Sequence, residues 1–138
     1  MKSLILVLSL SFSAAKADPI ECAQEASGYG YSADQAVLLC SRAESSAPLT
    51  CGNLALGYGY TQDQAALLCS GAVSDAPVTC GDLAEGYGYT TDQAASLCSG
   101  ATDNNPIDCA NTAQGYGYTI DQSAILCRSP RHCEPKAK

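Results

Sequence analysis

Between Ala43 and Cys127 the chain has no lysine and no arginine. A surface that neutralises phosphates needs clustered cations, so nucleic acid is not an expected partner. Tryptophan is absent, and phenylalanine, methionine and histidine occur once each. His132, the single imidazole, stands in a proline- and charge-rich tail with no repeated constellation of cysteine, serine or acid around it. A catalytic or ligand role needs a geometric set of partners, so a non-enzymatic protein is expected. The glycines are not followed by the lysine or preceded by the strand of a phosphate loop. Close CxxC pairs of the zinc-site kind are missing as well. An Asp-Gln pair recurs, but one carboxylate at a time makes neither an oxygen cage nor a paired-carboxylate site. Neither cofactor nor metal is therefore expected.

Long hydrophobic runs are also lacking. The longest, Leu4 to Phe12, is too short to anchor in a bilayer. It follows Met1-Lys2 and precedes Ser13-Ala14-Ala15-Lys16-Ala17, the charged, apolar and small-residue parts of a secretory signal peptide. Residues 1–17 are assigned to that signal, with Asp18 as the first mature residue. Its removal takes Lys2 and Lys16 and moves the formal charge from −7 to −9. The expected location is secreted or periplasmic, with no transmembrane anchor. In an oxidising compartment the nine cysteines read as structural staples rather than as thiolate ligands.

What the chain does have is a repeat. The octets GYGYSADQ from Gly28, GYGYTQDQ from Gly57, GYGYTTDQ from Gly86 and GYGYTIDQ from Gly115 recur every 29 residues and contain all eight tyrosines. Aligned on them, cysteines fall in pairs: Cys22 and Cys40, Cys51 and Cys69, Cys80 and Cys98, Cys109 and Cys127. Within a pair 17 residues intervene, and between pairs ten. Such fixed-period similarity means a tandem array. The units are 18–46, 47–75, 76–104 and 105–129. Residues 130–138 form a basic tail in which Pro130-Arg131-His132-Cys133 resembles the start of a fifth unit.

Each unit predicts two helices. Pro19, Pro48, Pro77 and Pro106 suit the first turn of one, which is expected to close at Gly28 and its equivalents because glycine takes the left-handed conformation readily. Ser32-Ala33-Asp34-Gln35 and its copies at 61–64, 90–93 and 119–122 have capping-box form and start the other. Apolar Ala36, Leu39, Cys40 and Ala43 then make a one-faced stripe. The expected helices are roughly eight and eleven residues long, with Gly71 and Gly100 as terminators of the second. Helices this short do not hold in water alone, so disulfides and stacking must support them. The expected fold is all-α: four disulfide-stapled hairpins in a short α-solenoid-like array. Independent hairpins joined by mobile linkers such as Glu44-Ser45-Ser46-Ala47 are the alternative.

Two cysteine pairings fit the spacing. Internal staples join Cys22 to Cys40, Cys51 to Cys69, Cys80 to Cys98 and Cys109 to Cys127, leaving Cys133 as a free thiol or an intermolecular link that dimerises the chain. The rival joins Cys40 to Cys51, Cys69 to Cys80, Cys98 to Cys109 and Cys127 to Cys133, and orphans Cys22. Internal staples are expected, because facing helices bring each pair to similar heights about the tyrosine turn.

Tyrosine is the functional handle. It offers large contact area, few rotatable bonds and a polar tip. The second ring of each copy, Tyr31, Tyr60, Tyr89 and Tyr118, immediately precedes an N-cap and is expected to staple onto the fourth residue of its own helix. The first, Tyr29, Tyr58, Tyr87 and Tyr116, is the candidate binding residue. The expected function is recognition of a protein, peptide or glycan through these loops. The alternative is a structural or protective component of an envelope or extracellular matrix, with no selective ligand.

Overall fold

The computed structural model describes residues 18–128. The expected signal segment, the last residue of the fourth unit, the basic tail, His132 and Cys133 lie outside the described residues. Among those described there are eight helices and no strand. They are α1 (Pro19–Gly28), α2 (Ala33–Cys40), α3 (Ala47–Gly57), α4 (Gln62–Leu68), α5 (Ala76–Gly86), α6 (Thr91–Leu97), α7 (Asn105–Gly115) and α8 (Ile120–Cys127). The expected lengths are reversed, because the first helix of each hairpin has 10 or 11 residues and the second only 7 or 8.

The start of every helix is written locally. Asp18 accepts from the amides of Ile20 and Glu21 at 2.9 and 2.8 Å, and Pro19 fills a position whose N–H would have had no partner. In the later hairpins Ser45, Ser74 and Asp103 take over, each accepting from the amide two residues on at 2.9–3.2 Å. All four even-numbered helices carry complete capping boxes. In α4, for example, Thr61 accepts from the Gln64 amide at 3.2 Å while the Gln64 side chain accepts from the Thr61 amide at 2.9 Å.

The Gly-Tyr-Gly-Tyr turn closes the first helix differently from expectation. Gly28 stays helical, and it is Gly30, with φ of 92°, that is left-handed. Gly30 donates to the Ser27 carbonyl and Tyr31 to the Ala26 carbonyl, at 3.1 and 3.2 Å, which is the two-bond Schellman closure. The same bonds recur at Gly59 and Tyr60, Gly88 and Tyr89, and Gly117 and Tyr118. The four residues are thus the last helical position, the C-cap, the left-handed residue and the residue that returns to the helix. Only the second glycine is required by backbone conformation.

All four internal staples are formed, each with a Cα–Cα distance of 5.6 Å, and the rival pairing is not. Each closes a loop for which the chain-entropy model gives on the order of 3 kcal/mol, compensating for helices below the length that is stable alone. Odd-numbered helices pack on odd-numbered ones and even on even, the even-numbered layer being the more extensive. The hairpins stack in chain order, and a continuous core of alanine, cysteine, leucine and tyrosine runs through them. Independent beads on mobile linkers are therefore not what the chain adopts. The hairpins are also tied through the backbone: the amides of Gly71 and Gly100 donate to the carbonyls of Leu39 and Leu68 at 3.2 and 2.9 Å. Beside them the Ser70 hydroxyl donates to the Leu38 carbonyl at 2.6 Å, and Ser99 to that of Leu67. Gly71 and Gly100 are left-handed, with φ of 63° and 65°, which is what aims those amides at the preceding hairpin.

A tyrosine edge as the candidate functional site

The Schellman closure sorts the two tyrosines of each turn by position. The first is the C-cap residue, whose side chain leaves the end of the helix, and Tyr29, Tyr58, Tyr87 and Tyr116 are between 53% and 82% exposed. Successive odd-numbered helices pack on one another, and each hairpin contributes one exposed phenol at the C-cap of its first helix. The second tyrosine is at the position whose side chain packs back toward the fold. Tyr31, Tyr60 and Tyr89 are buried, whereas Tyr118, which no further hairpin among the described residues follows, is exposed.

What buries these three rings was not legible from the single repeat. Tyr31 reaches across to α3 of the next hairpin, where its hydroxyl lies 2.7 Å from the position a β-carbon on Gly52 would take. Tyr60 meets Gly81 of α5 in the same way. The expectation placed this ring against its own helix; its hydroxyl end also takes part in the contact between hairpins. The three hydroxyls end in different surroundings. Tyr89 accepts from Gln114 Nε2 at 2.5 Å, Tyr31 is buried without a protein partner, and Tyr60 faces Glu85 outside ordinary hydrogen-bond geometry. Burial pushes all three phenols up from their usual range. At Tyr60 the Glu85 carboxylate adds to burial, and at Tyr89 the bond from Gln114 partly opposes it.

The Asp-Gln pair at the same edge does more than cap. While the Gln35 oxygen accepts from the Ser32 amide, its Nε2 donates to Asp63 of the next hairpin at 2.6 Å. Gln64 does the same to Asp92, and Gln93 to Asp121, each at 2.6 Å. Gln35, Gln64 and Gln93 thus each cap the start of their own helix and hold the carboxylate one hairpin further on. The sequence signal was the joint recurrence of Asp and Gln, both of which the start of a single helix also favours. This ladder runs along the starts of the helices that the tyrosine turns lead into. Together they make an edge of phenol faces, phenol hydroxyls and carboxylates on a stapled frame. Among the described residues no cluster of three or more metal-ligating side chains occurs, and no helix is long and apolar enough to cross a membrane.

Compared with protein-family models, with curated proteins and with solved structures, the chain gives no match in any of the three.

Proposed function

We propose that this is an exported, non-enzymatic binding module that engages an extended protein, peptide or glycan along the edge carrying Tyr29, Tyr58, Tyr87 and Tyr116. The observation that carries the reading is the exposure of these four rings at identical positions of a stapled frame, beside three of the same residue type that are buried. An exposed aromatic is costly to hydrate and unnecessary to a cap, yet each hairpin has one. A periodic partner would meet several rings at once, so weak contacts add through effective concentration. Rigid spacing reduces the ordering cost of that engagement. Export is supported by the signal-like segment 1–17 and by four staples that need an oxidising compartment.

The test compares the oxidised mature chain with a variant in which all four residues are changed to alanine, on peptide and glycan arrays and in capture from cell extracts. The expected result is a set of ligands bound by the parent and lost by the variant at unchanged helicity, with single substitutions weakening binding in steps. Ligands retained by the fourfold variant would overturn the reading. The structural or protective role is the second reading, favoured by a staple in every hairpin and by the exposed Ile20 and Leu126 of the first and fourth hairpins. A parent chain that binds no array component and no extract component selects it.

A further inference from the structure

Each contact between hairpins uses two faces, one that gives and one that receives, and the described array ends with one of each uncovered. On the receiving face, Leu49, Val78 and Ile107 are buried, but their counterpart in the first hairpin, Ile20, is 67% exposed. On the giving face, Leu39, Leu68 and Leu97 are buried, while Leu126 is 61% exposed and Tyr118 is 51% exposed. Solenoids ordinarily cover such ends with polar capping repeats. Here the uncovered faces keep the contact groups of the interior ones. Asp34 has no glutamine before it, and Gln122 no aspartate after it, in the ladder of the described hairpins. Ala23 stands at the place of Gly52 and Gly81, as Ala110 does beneath the hairpin of Tyr89. Ser41 stands at the place of Ser70 and Ser99.

The backbone carries the argument further. Arg42 has φ of 62°, and among the described residues it is the one non-glycine with positive φ. Its counterparts Gly71 and Gly100 have φ of 63° and 65° and turn their amides onto the carbonyls of Leu39 and Leu68. An arginine in that conformation is strained, yet the first hairpin holds the receiving geometry with no hairpin before it among the described residues.

We propose that copies of this chain associate head to tail, the face of Tyr118, Gln122 and Leu126 docking on the face of Ile20, Ala23 and Asp34 of a second copy. By register, Gln122 then donates to Asp34, the Arg42 amide to the Leu126 carbonyl and the Ser41 hydroxyl to the Ile125 carbonyl. The contact is heterologous, so each addition leaves the same two faces open and the product is an unbounded filament rather than a closed dimer. The exposed row of Tyr29, Tyr58, Tyr87 and Tyr116 continues along it. The acidic chain repels its own copies, so added salt favours assembly.

The experiment uses the oxidised mature chain with Cys133→Ser, which removes any intermolecular disulfide. Sedimentation over a wide concentration range is expected to give a mass that rises without ceiling. Ile20→Glu and Leu126→Glu change residues exposed in the single copy, so each is expected to stay folded and to be monomeric when alone. Mixed, the two variants retain one intact face of each kind and are expected to form a 1:1 dimer that grows no further. Three results overturn the proposal: a parent chain monomeric throughout, a dimer formed by either variant alone, or a mixture that stays monomeric. A monomeric parent whose Leu126→Glu variant melts earlier would place residues 129–138 on that face instead. None of these variants touches the tyrosine row, so failure here leaves the binding reading standing.

Discussion

The hydroxyl of Tyr31 lies against Gly52 so closely that a β-carbon on that glycine would stand 2.7 Å from it, with Leu39 Cδ1 at 3.4 Å on another side. Gly52 is in the middle of α3, where glycine is a poor helix former by about 1 kcal/mol relative to alanine. Its place there is explained by the ring above it. Gly52→Ala should therefore lose stability by about 1 kcal/mol net, the overpacking of roughly 1–3 kcal/mol exceeding the propensity gain. Tyr31→Phe removes a buried hydroxyl that has no protein partner and should cost little or stabilise. The double variant should be at least as stable as the parent, because the clash is gone and the helical gain remains. Denaturant unfolding of the oxidised protein reads all three. A double variant as weak as Gly52→Ala alone would show that the hydroxyl is not what the glycine accommodates.

The two glycines of one turn should respond in opposite directions. Gly57 is the last helical residue of α3, and a β-carbon there meets nothing within 4 Å. Gly57→Ala should stabilise by about 0.5–1 kcal/mol through helix propensity and a less free unfolded chain. Gly59 also has open space around it, but its φ of 97° is one that L-residues rarely adopt. Gly59→Ala should destabilise by roughly 1–2 kcal/mol. Equal effects of the two changes, read from the same unfolding curves, would contradict the Schellman assignment.

Much of this fold was legible because the repeat multiplies weak local signals. One Ser- or Thr-x-Asp-Gln is a modest hint, but four in register with paired cysteines and prolines define a hairpin and its staple. The left-handed residue was misplaced by two positions, at Gly28 instead of Gly30, because both glycines offer the same freedom and only the bonding pattern chooses. The glutamine-to-aspartate ladder and the Tyr31–Gly52 contact were missed for a different reason. Both join residues of different units, and one unit read alone has no third dimension in which to place the next. Gly52 and Gly81 were the available clue, since mid-helix glycine asks for a close neighbour. The exposure of Tyr29 and its equivalents follows from their C-cap position, whereas their ligand is not a property of the fold.

The four staples differ in one respect that geometry within the hairpin does not predict. Cys109 is exposed, while Cys22, Cys51 and Cys80 are buried beneath the hairpin that follows each of them. Reduction requires a thiolate to reach one sulfur directly, so access decides the order among bonds of the same design. With limiting phosphine and rapid alkylation, Cys109 and Cys127 should be labelled about tenfold faster than Cys51, Cys69, Cys80 and Cys98, an expectation that rests on access alone. Chymotryptic peptides sequenced by mass spectrometry give the order. Simultaneous labelling of every pair would mean that reduction waits for global unfolding, and earlier labelling of the central pairs would contradict the stacking order itself. The outer face that exposes Cys109 is the one assigned to docking a second copy. Its labelling should therefore slow toward the rate of the central pairs as protein concentration rises, and should stay fast in Ile20→Glu, which offers no receiving face.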